Sequence, residues 1–396
     1  MRYKIKIKIN DLLLVLLWIS VFPIQLPGKM TYVIQAFLVI TIFLNSFSEI
    51  KGIQYNFLIL LFPITITISC FLNKNSILIT QVLRGITYSL LIIDVYAYIH
   101  RYIRLAGEQR MLAILYKLSK CYFVFGFVWT IALVMMGKSM DTDIYMPLGG
   151  KFNSAYMFLF FLILLRIQQK GRETSRILKD NVIFIVLSIV CIWTCALLQV
   201  STGIVAIVIF AALILAPNDF TKCINNAVVF ITLIIGSMVI VFSISAVLNL
   251  HFVQNIVVDI LHEDLSLTGR TALYELLLPQ IFKSGMFGGG FGSYIASQLG
   301  YHGWLNAQNG LSEVILTYGF CGALTFLMLC FAASKGRNGY YKSLNAGIIT
   351  FIFIAIVEVP FDIRFIFLLA LFMLVNEDDQ VSSLPYHHLK VRDSNT

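Results

Sequence analysis

Arg84 lies inside an apolar run, "ILITQVLRGITYSLLIIDVYAYI". A guanidinium stays charged at any working pH and grips phosphate through two parallel hydrogen bonds. Placing it in hydrocarbon costs at least ~2.5 kcal/mol, so such a residue marks a pathway or a site. The alternative is a structural pair with a buried acid such as Glu358; Asp94 is nearly three turns away along the same run. A second arginine, Arg270, opens the stretch "RTALYELLLPQIF". Unpaired N–H groups at a helix start would add to its pull on an anion, although a solvated loop charge would look the same. Arg364, in "VEVPFDIRFIF", stands beside Glu358 and Asp362 and fits a local ion pair as well as a site role.

Proton transfer needs a different residue type. His302 is suited to it near neutral pH and has Asn306, Gln308 and Asn309 close by in sequence. Glu313 follows one helical turn after Asn309 on the same face. Trp304, Tyr301 and Tyr294 offer faces for stacking on sugars, or belong to an interfacial aromatic belt. Between the arginine and the histidine runs "GMFGGGFGSY", Gly285 to Tyr294. Glycines such as Gly289 and Gly290 let backbone approach a ligand closely or turn sharply. No nucleotide-loop pattern and no nucleophile-elbow frame fits this stretch. The chemistry these residues could perform is anion clamping by Arg84 and Arg270, with His302 as a base.

The elements that must hold them are transmembrane. The chain has 396 residues, 59% hydrophobic and 12% charged, where a soluble domain is about 25% charged. Twelve apolar runs can cross a bilayer as helices, near 11–27, 30–48, 55–72, 77–99, 119–137, 152–168, 181–199, 203–216, 226–248, 309–333, 345–359 and 361–375. The shortest leave ten or eleven spans open. With the N-terminus inside, inner segments hold 21 of the 29 Lys and Arg, and outer segments hold 6. That bias is the positive-inside rule. It places both termini in the cytoplasm and accounts for the net charge of +9 without nucleic acid. The basic N-terminus, "MRYKIKIKIN", leads into a retained first span, since no small-residue cleavage site follows.

The expected fold is therefore an all-α polytopic membrane protein, with about twelve transmembrane helices and one long outer loop between spans 9 and 10. Residues 1–180 carry the first six spans, and 181–333 form a core that includes the loop 249–308. Residues 334–375 add the last spans, and 376–396 are a cytoplasmic tail. The seven cysteines fall in or beside apolar runs with no CxxC pair, so no disulfide or metal site is expected. No cofactor motif is present. In the loop helix, Pro279 is expected to end the helix.

Together these features resemble the O-antigen ligase/polymerase superfamily. The residues that carry the resemblance are Gly269–Arg270, Pro279, "GMFGGGFGSY", a polar pair at a helix start, and "GFCG" at Gly319 to Gly322. It covers roughly 181–331. The family's pattern has a histidine and a small polar residue where this chain has Gln308 and Asn309, so the base role does not pass to Gln308. The family's Ser-Arg-Gly is Ser201-Thr202-Gly203 here, and Arg84 would compensate for the lost cation. The resemblance implies a metal-independent glycosyltransferase, a polysaccharide polymerase of the cell membrane. Its donor would be an oligosaccharide on polyprenyl diphosphate and its acceptor a second lipid-linked repeat, with a flippase and a chain-length regulator as partners. Arg270 and Arg84 would hold the diphosphate and His302 would act as base. Gln308, Asn309, Glu313, Trp304, Gly289, Gly290 and Arg364 would contact substrate. Two alternatives stand beside it: an O-antigen-type ligase, and a lipid-oligosaccharide flippase or transporter. The flippase reading lacks the two matching halves common among transporters.

Overall fold

A computed structural model describes residues 2–26, 30–137, 148–170, 177–243, 270–293, 306–336 and 341–375. Among these residues every regular element is helical: α1 Arg2–Val21, α2 Met30–Ser46, α3 Asn56–Leu72, α4 Ile79–Ala106, α5 Glu108–Met135, α6 Lys151–Lys170, α7 Ile177–Leu197, α8 Ser201–Leu215, the short α9 Asn218–Lys222, α10 Ala227–Phe242, α11 Arg270–Lys283, α12 Gly310–Lys335, α13 Lys342–Ile354 and α14 Ile363–Leu374. Two 3₁₀ turns, 47–52 and 223–225, join neighbouring helices.

Each apolar run in the sequence becomes one helix. Six are long and apolar enough to cross a membrane, or up to seven if the bent pair Ser201–Leu215 and Asn218–Asn225 counts as one span; four shorter apolar helices accompany them. The chain is a helical, multi-pass membrane protein. Its outer surface shows why. On α7, Val182, Ile185, Val186, Ile189 and Trp193 are all exposed, and their spacing puts them on one helical face. On α2, Val33, Phe37, Ile40 and Leu44 do the same. Apolar patches of that size are rare on soluble monomers and ordinary against lipid tails.

The inside of the bundle is built from α13 and α14. Nearly every residue of both is buried, from Ser343 to Ile354 and from Ile363 to Met373. A helix apolar on all sides belongs in a core. At 1.5 Å per residue they are only about 20 Å long, and other helices surround them. The turn between them, 355–362, is itself largely buried, and it carries Glu358 and Asp362. The 28-residue α4 packs against α1, α2, α3 and α14. Ion pairs gather at the end of the bundle where α4 finishes: Arg104–Glu49 at 2.5 Å and Arg110–Asp11 at 2.6 Å. The opposite end, where α1 and α3 finish, receives the glycine-rich segment after α11 and is called the loop end below.

One expectation changes here. α11 does not stop at Pro279 but continues to Lys283. Proline forfeits one hydrogen bond to the preceding turn and crowds it. With Leu273, Tyr274, Leu277 and Ile281 buried along one face, packing holds the helix through that defect.

Candidate functional site

α12 is broken. Gly319 has φ 72° and ψ −171°, which no helical residue adopts. The break frees two carbonyls, of Leu316 and Thr317, and two N–H groups, of Phe320 and Cys321, which would otherwise pair with each other. At membrane depth each unpaired backbone group costs several kcal/mol. The glycine-rich segment after α11 takes up all four. Gly289 N–H donates to Leu316 C=O at 3.0 Å and Gly290 N–H to Thr317 C=O at 2.9 Å; Phe320 N–H donates to Gly285 C=O at 3.2 Å and Cys321 N–H to Met286 C=O at 3.0 Å. A segment of tight turns is thus fitted into the gap in a helix.

Only glycine fits the crossing point. A Cβ on Gly288 (φ 62°) would sit 2.5 Å from Gly319 N, and one on Gly319 would sit 2.3 Å from the Met286 carbonyl group. Side chains of α3 and α4 complete the mooring. Ser69 Oγ donates to Phe287 C=O at 2.5 Å, Asn73 Nδ2 to Gly288 C=O at 3.0 Å, and Gln81 Nε2 to Gly292 C=O at 2.5 Å. The N–H groups of Gly289 and Gly290, expected to face a ligand, are spent on α12. The glycines act as a splice between the loop and the bundle.

The splice delivers Phe291 to α4, where it meets Arg84. The guanidinium carbon of Arg84 lies 4.0 Å from the centroid of the Tyr32 ring and 5.8 Å from that of Phe291. Arg84 is half-buried, and among the described residues no carboxylate pairs with it. The expected alternative, an ion pair with Glu358, does not form. Aromatic faces hold the cation by their quadrupoles and leave its N–H groups unpaired with any described carboxylate. One turn along α4, the Tyr88 ring lies 5.4 Å from that of Phe291 and within electrostatic reach of Asp362 and Arg364.

Arg364 has the local partner expected of it. Its Nε donates to Asp362 Oδ2 at 2.8 Å and a terminal nitrogen reaches the same oxygen; the other terminal nitrogen donates to Asn153 Oδ1. Tyr156 lies under the group at 4.7 Å. Asp362 is also the N-cap of α14, accepting the Arg364 N–H at 2.9 Å. Arg364, Asp362 and Asn153 line a partly open cavity of about 150 Å³, with Phe22, Gln35 and Tyr122 among the others around it. Gln35 is one turn from Tyr32 on α2, so the aromatic partner of Arg84 and the rim of the cavity share a helix face.

Gln308, Asn309 and Glu313 gather at the start of α12. Asn309 is fully buried. Its Oδ1 caps the helix by accepting Ser312 N–H at 3.0 Å, and its Nδ2 donates to Ala355 C=O at 2.7 Å and Ser237 C=O at 3.3 Å. Gln308 sits at φ 49°, and its carbonyl accepts from Tyr274 at 3.0 Å. Glu313 accepts the Ala307 N–H at 2.8 Å. This cluster joins α10, α11, α12 and the α13–α14 turn, and Asn309 has its amide committed to that joint. Asn309→Ala should therefore cost about 2–4 kcal/mol, from the lost cap and the orphaned carbonyls. Denaturant titration in detergent would measure it; an unchanged midpoint would return Asn309 to ligand contact.

The structure brings Arg84 against Phe291, the residue that follows Gly289 and Gly290, and gathers Arg364 with Asp362, Asn153 and Tyr156. Gln308, Asn309 and Glu313 form a separate joint. His302 and Trp304 lie outside the described residues, as does the side chain of Arg270, whose backbone opens α11. Sequence reasoning missed Tyr32, Gln35 and Asn153. Each is an ordinary polar or aromatic residue at a helix end, and only the packing of α2 and α6 against α4 and α14 gives it a role. Compared with protein-family models, curated proteins and solved structures, the chain matches none.

Proposed function

We propose that this protein is a polysaccharide polymerase, a metal-independent glycosyltransferase that moves an oligosaccharide from polyprenyl diphosphate to a lipid-linked repeat unit at the outer face of the cell membrane. In this reading all twelve apolar helices span the bilayer, both termini are cytoplasmic and the loop end faces out. The observation that carries it is Arg84, a cation among apolar helices, held by two rings with its hydrogen-bond donors uncommitted to any carboxylate among the described residues. The resemblance of the glycine-rich segment and its flanks to the O-antigen ligase/polymerase superfamily supports the same reading.

The reaction asks for charge stabilisation more than for acid catalysis. The bond from the anomeric carbon to the diphosphate oxygen breaks, and the electron pair leaves with the diphosphate. The acceptor hydroxyl oxygen forms the new bond and gives up its proton. Arg84, with Arg270 from the outer loop, would stabilise the departing diphosphate through preorganised donors in a dry site, commonly the largest catalytic term. His302 would take the proton, worth ~10²–10⁴-fold. Gln308, Glu313, Trp304 and Arg364 would contact the glycan.

The test is purified protein in nanodiscs with lipid-linked repeat units and no nucleotide or ion gradient. Longer glycans on the lipid are expected. Transfer of a finished glycan to a different acceptor would make the protein a ligase. Movement of intact lipid between leaflets without chain growth would make it a flippase.

A further inference from the structure

We infer that the cavity between α1, α2, α5, α6 and α14 binds one neutral pyranose ring, gripped by Asp362, Arg364, Asn153 and Gln35. The site's place in a reaction rests on the glycosyltransferase reading; its ligand chemistry does not.

The argument is one of charge and capacity. Arg364 is neutralised by Asp362 through two of its nitrogens and tied to Asn153 by the third. The cavity therefore presents a dipolar pair with no net charge, and an anion entering it would meet Asp362 as well as Arg364. Arg84, by contrast, has no acid paired with it among the described residues, so the two arginines suit different ligands. A guanidinium carries five N–H donors and a carboxylate about four acceptor positions, so the Asp362–Arg364 pair keeps both donors and acceptors in reserve. Gln35 donates its Nε2 to Ser20 C=O at 2.8 Å and has its amide oxygen to offer. Donors and acceptors side by side are what a hydroxyl needs, since each O–H both donates and accepts. Apart from Tyr122, whose hydroxyl donates to Phe22 C=O at 3.3 Å, the rest of the lining, including Phe22, Met157 and Ile363, is apolar and suits the C–H faces of a sugar.

Size and rigidity agree. A cavity of about 150 Å³ is the size of an engineered cavity that takes benzene; a pyranose has about twice benzene's heavy atoms, and because this cavity is partly open the ring can enter on one face and leave the hydroxyls of its far side outside. The polar groups are held firmly: Asp362 by capping α14, and Asn153 by donating its Nδ2 to Gly149 C=O at 2.7 Å. Trp18 stands directly behind, its ring 4.4 Å from that of Phe22.

The experiment uses the full chain in nanodiscs and ligand-observed saturation-transfer NMR. The probes are methyl glycosides of glucose, galactose, mannose and N-acetylglucosamine, with methyl glucuronide and inorganic pyrophosphate as charged competitors. Wild type should transfer saturation to at least one neutral glycoside, and pyrophosphate should not displace it. Asn153→Ala should cut that signal at least tenfold. Asp362→Asn keeps the helix cap but leaves Arg364 unneutralised, so preference should reverse towards the glucuronide. That reversal is a gain that an unfolded protein cannot give. Should Asp362→Asn fail to fold, Asn153→Ala and Gln35→Ala decide. The inference is overturned if no neutral glycoside receives saturation from wild type, if the charged probes win there, or if the folded variants behave as wild type does. Chain growth with no sugar in this cavity would leave the polymerase reading standing alone; sugar in the cavity without chain growth would do the reverse.

Discussion

Arg84→Ala should lower the rate of chain growth by at least 100-fold while the folded protein becomes no less stable. The two effects separate because the residue pays a structural cost for its role. A charged side chain within a span costs ~2.5–3.5 kcal/mol on insertion scales, and the described residues return no ion pair for it. The contacts it does make, with Tyr32 at 4.0 Å and Phe291 at 5.8 Å, are worth roughly 1–2 kcal/mol when desolvated. Truncation to alanine removes both terms, so insertion and thermal stability in detergent should hold or improve. Activity should fall because a preorganised donor aimed at developing charge is typically worth ~10²–10³-fold. Arg84→Lys should restore little, since an ammonium neither forks onto a diphosphate nor stacks flat between two rings. The measurement is elongation of lipid-linked repeats alongside thermal unfolding of the same samples. Full activity, or a loss of activity that tracks a loss of stability, would mean that Arg84 is structural.

Gly319→Ala should have the largest effect on the fold, on the order of 3 kcal/mol or more. Two penalties add. The backbone there has φ 72°, and the new Cβ would lie 2.3 Å from the Met286 carbonyl and 2.4 Å from Phe287 N. Neither neighbour can retreat, because both belong to the segment whose hydrogen bonds close the gap in α12. Relief comes from expulsion of that segment, which would withdraw Phe291 from Arg84 and expose four backbone groups. Gly236→Ala gives the contrast. That glycine is within α10 with nothing within 4 Å of its would-be Cβ, so alanine should be neutral or stabilise by about 1 kcal/mol through helix propensity. Unfolding midpoints of the two variants should therefore move in different directions. If they fall together, the splice is not what holds this end of the bundle.

Much of this architecture is written in hydropathy. Every apolar run became a helix, because a chain in lipid has no way to satisfy its backbone other than locally. Boundaries moved where charged ends extend a helix past its apolar stretch: α5 begins at Glu108, well before the run near 119. The glycine cluster and the isolated arginines were visible as anomalies for the same reason, since each carries a local cost that the surrounding sequence does not repay.

What those anomalies do was settled only by tertiary contact. The glycines of "GMFGGGFGSY" looked fit to approach a ligand, and they approach another part of the chain. Asn309 looked like a sugar contact, and its amide ties together two helices and the α13–α14 turn. Arg84 had one candidate acid in the sequence and met two rings. The cavity at Arg364 draws its walls from α1, α2, α5, α6 and α14, segments separated by up to hundreds of residues. The physical reason is common to all four. Composition and period report what one segment costs to bury and which way it coils, whereas the partner of a polar group depends on which helices pack together. That choice is made by side-chain shape across the whole bundle, where apolar pattern is nearly the same on every face.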